Sequence, residues 1–102
     1  MSARVLVASV ADIPAGEGRV VDAQGKALAL FNVDGTFYAL DNSCPHRGGP
    51  MGEGDLEGSV AVCPWHGWRW DVKTGANANN PVVKMACFPA SVEDGGVYVE
   101  LP

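Results

Sequence analysis

The sequence predicts an all-β protein, on three observations. Its apolar residues fall in short runs of strand length. Turn residues separate those runs, among them Gln24-Gly25, Asp34-Gly35 and Asp94-Gly95. No stretch holds a convincing helical period.

The elements follow in chain order. Val5 to Val10 is short and apolar. It has a faint signal-peptide look, but one Arg precedes it and Asp12-Ile13-Pro14 follows at once, so a first strand is the better reading. Gly18 to Asp22 is a second strand after the Pro14-Ala15-Gly16 break, and Gln24-Gly25 turns the chain. Lys26 to Val33 is apolar on both alternating faces, which marks a central strand. Asp34-Gly35 is a strong hairpin signal before Thr36 to Leu40. From Gly48 to Gly58 there are five glycines and one proline, so no regular strand or helix is expected there. Ser59 to Val62 and Arg69 to Lys73 are short strands, and Thr74-Gly75 turns. Ala76 to Pro81, with Asn77, Asn79 and Asn80, reads as an irregular connection. Val82 to Val92 and Gly96 to Leu101 form a last hairpin through Glu93-Asp94-Gly95, with Pro89 confining the first of them to an edge or a bulge. The architecture expected is a basal sandwich or barrel, with two loops projecting from one end of an inserted meander.

At 102 residues the chain is expected to be one domain, 1–102, with one modest core. No apolar run approaches the roughly 20 residues that span a bilayer, so no membrane association and a cytoplasmic location are expected. Twelve acids against seven bases leave a net charge of −5. Phosphates would be repelled, which argues against nucleic acid and allows a partner with a basic face.

The chemistry lies in two short stretches, Cys44-Pro45-His46 and Cys63-Pro64-Trp65-His66. Each supplies one thiol and one imidazole, and together they use both histidines and two of the three cysteines. Soft ligands concentrated in two matched loops point to a metal site. Sixteen residues separate His46 from Cys63, enough for a hairpin that sets the loops side by side. A structural zinc site draws on the same Cys₂His₂ set, although C-x-H is tight for the usual zinc spacings and no helix carries the second half. A disulfide between Cys44 and Cys63 would leave the paired histidines unexplained.

The full loops read Cys44-Pro45-His46-Arg47-Gly48-Gly49-Pro50-Met51 and Cys63-Pro64-Trp65-His66-Gly67-Trp68. This C-x-H and C-x-x-H pair resembles the Rieske iron–sulfur family over the whole chain. The resemblance implies a Rieske-type fold with a cluster-binding subdomain at about residues 42–75 and one [2Fe–2S] cluster per chain. It implies that Cys44 and Cys63 hold one iron, and His46 and His66 the outer one. The glycine-rich stretch after Cys44 would then fold closely around the cluster and offer N–H groups to sulfide.

Departures from the family pattern narrow the branch. The high-potential members carry a cysteine pair where this chain has Gly49 and Trp65, and Ser and Tyr hydroxyls where it has Trp68 and Trp70. The resemblance therefore implies the low-potential branch: ferredoxins of aromatic-ring dioxygenase systems, oxygenase N-terminal domains and nitrite reductase small subunits. The expected function is one-electron transfer rather than catalysis. As a free monomer the chain would pass electrons from a flavin-dependent reductase to a terminal oxygenase. The alternative is a small subunit fixed to another redox enzyme, such as a nitrite reductase. Both histidines being taken, no second iron site for oxygen activation is expected. Trp65 is expected over the cluster or at a docking tip, Trp68 and Trp70 in the core, and Cys87 as a buried structural thiol. Glu53, Asp55 and Glu57 form either a solvated face or a docking patch.

Overall fold

The computed structural model describes residues 3–43, 49–65 and 67–101. They form ten antiparallel strands in three sheets, with two single-turn 3₁₀ segments and no α-helix among the described residues. The strands are β1 (Ala3–Ser9), β2 (Gly18–Ala23), β3 (Lys26–Val33), β4 (Thr36–Asp41), β5 (Asp55–Glu57), β6 (Val60–Val62), β7 (Arg69–Asp71), β8 (Cys87–Phe88), β9 (Ala90–Glu93) and β10 (Gly96–Leu101). Their order is β1-β10-β9 in the first sheet, β2-β3-β4-β8 in the second and β5-β6-β7 in the third.

Turn chemistry sets the register. Gln24-Gly25, Asp34-Gly35 and Asp94-Gly95 each join strands through two residues of positive φ (53° and 87°, 50° and 92°, 51° and 79°). That is the type I′ pattern, whose twist matches the flanking strands. It pairs Ala23 with Lys26, Val33 with Thr36 and Glu93 with Gly96.

β3 is central in its sheet, between β2 and β4 as expected, and it organises the packing because both of its faces are covered. Leu28 and Leu30 point into one core with Ile13, Val21, Phe37, Ala39 and the valines of β10. This is the basal sandwich between the first and second sheets. Ala29 and Phe31 point the other way, into a second core with Leu40, Met51, Ala61, Cys63, Trp70, Val72 and Met85. The third sheet closes that side, so the second sheet is the middle layer of three.

Two expectations for the segments change. The stretch after Gly48 does hold a strand: Asp55-Leu56-Glu57 contains no glycine and pairs with β6 through a turn at Gly58, where φ is 63°. Its glycines flank the strand instead of interrupting it. The segment Val82 to Val92 is not one strand. Residues 82–86 are irregular, β8 pairs with β4, and β9 pairs with β10. Pro89 lies between β8 and β9 and cannot donate to a ladder, so the chain changes sheets there.

Candidate metal centre

The two predicted ligand loops emerge next to each other from the second core. The first leaves β4 after Asp41 and returns at Pro50, which forms an isolated bridge with Ser43. Asn42 pins the return. Its carbonyl accepts the Met51 N–H at 2.8 Å and its side-chain Oδ1 accepts the Gly52 N–H at 2.8 Å. The second loop extends the β6–β7 hairpin. The Cys63 N–H donates to the Trp68 carbonyl at 2.8 Å, and the Gly67 N–H to the Cys63 carbonyl at 3.0 Å. Both loops are thus closed at their bases by hydrogen bonds among the described residues.

Of the four predicted ligands, Cys63 is described; Cys44, His46 and His66 lie outside the described residues. Cys63 is 2% exposed and its thiol is not in a disulfide. A Cβ added to Gly49 would lie 2.7 Å from Cys63 Sγ and 3.1 Å from Trp65 Cγ. Only a residue without a side chain lets the first loop come this close to the second. Gly54 does the same at the stem: an added Cβ would sit 1.9 Å from the Val62 carbonyl oxygen. The sulfur is therefore held where the two loops approach most closely. A thiolate placed there fits an iron–sulfur group, which needs deprotonated sulfur donors from two loops.

Gly49 and Trp65, where the high-potential branch has its cysteine pair, stand against each other here. Trp65 is 57% exposed, so it caps the junction and reaches the surface. The tryptophans expected in the core divide. Trp70 is fully buried, whereas Trp68 is 37% exposed because it precedes β7 at the open end of the hairpin. The two rings stack at 6.1 Å with a 28° interplanar angle. Cys87 is exposed, not the buried thiol expected: β8 is a two-residue edge strand with one face open. Its Sγ reaches only the Thr74 carbonyl, at 3.7 Å.

Glu53, Asp55 and Glu57 are exposed along an open groove that Glu17 and Arg19 also line. Glu57 is paired with Arg69, which leaves Glu53 and Asp55 as the acids of this row without an ion pair among the described residues. Sequence reasoning passed over two supports of the site. One is Asn42. The other is Asn77, 5% exposed, whose Oδ1 accepts the Asn79 and Asn80 N–H groups at 2.9 and 3.0 Å while its backbone bridges to Trp70. The signal for both was present, since Asn bonds neighbouring backbone where a strand gives way to a turn.

Fold and site together define a small three-layered β protein that presents a buried cysteine between two closed loops. The chain belongs to the Rieske family: the Rieske [2Fe-2S] domain matches residues 3–89. The 3-phenylpropionate/cinnamic acid dioxygenase ferredoxin subunit of Escherichia coli (strain K12) is 38% identical over 101 residues, 97% of this chain and 94% of that one. Among solved structures, Sphingomonas yanoikuyae B1 ferredoxin superposes with a TM-score of 0.87 at 32% identity, covering 98% of this chain and all of the other (100%). A chain in the complex of reduced oxygenase and oxidized ferredoxin in carbazole 1,9a-dioxygenase superposes with a TM-score of 0.85 at 36% identity, over 94% of this chain and 91% of that one. The cofactor is accordingly a Rieske-type [2Fe–2S] cluster, which sets the zinc reading aside. Such a cluster exchanges one electron, so the chain is an electron carrier. No helix among the described residues is long and apolar enough to cross a membrane.

Proposed function

We propose that this chain is the ferredoxin component of an aromatic-ring dioxygenase system. It takes single electrons from a flavin-dependent reductase and delivers them to a terminal oxygenase, as a cytoplasmic monomer. The observation that carries this reading is the loop junction: a buried thiol in Cys63, Gly49 packed closely beside it, and an exposed Trp65 at the same junction. Near full-length likeness to dioxygenase ferredoxin subunits supports it over the fixed-subunit alternative.

In this reading 1–102 is one domain, and about residues 42–75 form its cluster-binding subdomain. Cys44 and Cys63 bind the inner iron, and His46 and His66 the outer one, the assignment that the family resemblance implies. When bound, the cluster supplies a one-electron couple. The chain's own residues do the rest. The loop stems hold the donors in place, and the second core keeps water from Cys63. Trp65 and the acids Glu53 and Asp55 present a surface to partners, apolar at the tip and negative beside it.

The purified protein should be red-brown and monomeric, with about two irons and two acid-labile sulfides per chain. Reduction should give a rhombic EPR signal with a low average g value. A colourless protein holding one zinc ion would overturn the cluster assignment. Co-purification with a large flavin or haem enzyme would instead identify a fixed subunit.

A further inference from the structure

The second core contains a donor with no acceptor. Trp70 is fully buried, and its indole N–H has no hydrogen-bond partner among the described residues. An indole nitrogen can only donate. Leaving such a group buried and unpaired is unfavourable, and buried polar groups in folded proteins are nearly always satisfied.

Strand geometry shows which side of the hairpin this donor serves. Ala61 and Cys63 are two residues apart on β6 and its extension, so they face the same side. Trp70 is the ladder partner of Ala61, and Trp68 meets Cys63 through its carbonyl. Opposite residues in an antiparallel pair share a face, and a diagonal neighbour is within reach of an aromatic ring. Trp70 and Cys63 therefore project into the same core. The other buried side chains of that core belong to Ala, Phe, Leu, Val and Met, and the hydroxyl of Tyr38, which packs against it, accepts no hydrogen bond from the indole.

We propose that the Trp70 indole N–H donates a hydrogen bond to a sulfur of the [2Fe–2S] cluster, which makes Trp70 a positioning residue that raises the reduction potential. The proposal rests on the cluster reading above. The high-potential branch has a Tyr hydroxyl at this position. Trp70 lacks the hydroxyl and keeps a donor, so the absence of Tyr does not remove the hydrogen bond. Such a bond favours the reduced cluster, whose sulfur carries more negative charge.

Trp70→Phe removes the donor and keeps an aromatic ring. It should weaken the reduction equilibrium three- to tenfold, a fall of about 30–60 mV at 59 mV per tenfold, with iron and sulfide content unchanged. Trp70→Tyr restores a donor and should recover most of the fall. A fully loaded Trp70→Phe protein with the wild-type potential overturns this inference and leaves the cluster assignment standing. A wild type without iron and sulfide overturns both. If Trp70→Phe takes up no cluster, the wild type answers the question, grown on tryptophan labelled with ¹⁵N at the indole nitrogen. Electron–nuclear double resonance of the reduced protein should show one indole ¹⁵N coupling, retained in Trp65→Phe and in Trp68→Phe. Absence of that coupling overturns the inference.

Discussion

The two faces of β3 look onto cores of different kinds. The basal core is closed by its own aliphatic and aromatic side chains, and its buried polar neighbour Asn32 is fully engaged. Asn32 Nδ2 donates to the Ile13 carbonyl at 2.7 Å, and Oδ1 accepts the Gly35 N–H at 2.8 Å. The second core is built of similar residues but also holds a thiol and an unpaired indole N–H. A buried donor left without an acceptor calls for an explanation, and here the one proposed is the cluster. The basal sandwich is a support satisfied within the protein, by burial and by the Asn32 hydrogen bonds, whereas the other side is the one the proposed cluster would complete.

The sharpest test of that contrast uses adjacent residues on one strand. Leu30→Ala empties the basal core and should cost about 2–5 kcal/mol, and Phe31→Ala empties the second core and should cost about 3–5 kcal/mol. Denaturant unfolding should show both losses. Iron content should separate them: folded Leu30→Ala keeps its cluster, while Phe31→Ala loses iron ahead of its secondary structure. Equal iron loss in the two variants would mean that the two cores act as one unit.

A smaller effect is expected from glycines. Gly54→Ala drives a methyl group into the Val62 carbonyl, so the second loop must shift and cluster uptake should fall severely. Gly25→Ala meets nothing within 4 Å and bears only the strain of its φ of 87°, about 1–2 kcal/mol. Iron per chain and melting temperature, measured together, should rank them in that order, with Gly25→Ala fully loaded.

The smallest effects belong to the surface beside the second core. Exposed ion pairs contribute about 0–1 kcal/mol, so Glu57→Gln, which frees Arg69, should leave stability nearly unchanged. Glu53→Gln with Asp55→Asn should slow electron transfer to a basic partner at low salt and flatten its salt dependence. If stopped-flow rates and their salt slope match the wild type, these acids are a solvated face only.

Much of this was legible in the chain itself. The three type I′ turns follow from Gly after Gln24, Asp34 and Asp94, because few other residues accept positive φ. The central place of Lys26 to Val33 in its sheet follows from its two apolar sets, and the metal-loop motif shows in the pairing of Cys and His within each short stretch. These signals are local: each depends on residues within a few positions of one another.

Other features depended on distant partners. Nothing near Pro89 says that β8 joins β4 while β9 joins β10, because that choice belongs to the strands they meet. Trp68 and Trp70 are identical in kind and two residues apart, yet only Trp70 is fully covered, by residues from β3, β4 and β6. Cys87 looks like an ordinary buried thiol until its strand proves to be a sheet edge. The sequence by itself determined where the chain turns and which residues seek burial, and it carries the motif proposed here to bind the cluster. Only the tertiary structure decided which of those residues are covered, because coverage is supplied by segments far away in the chain.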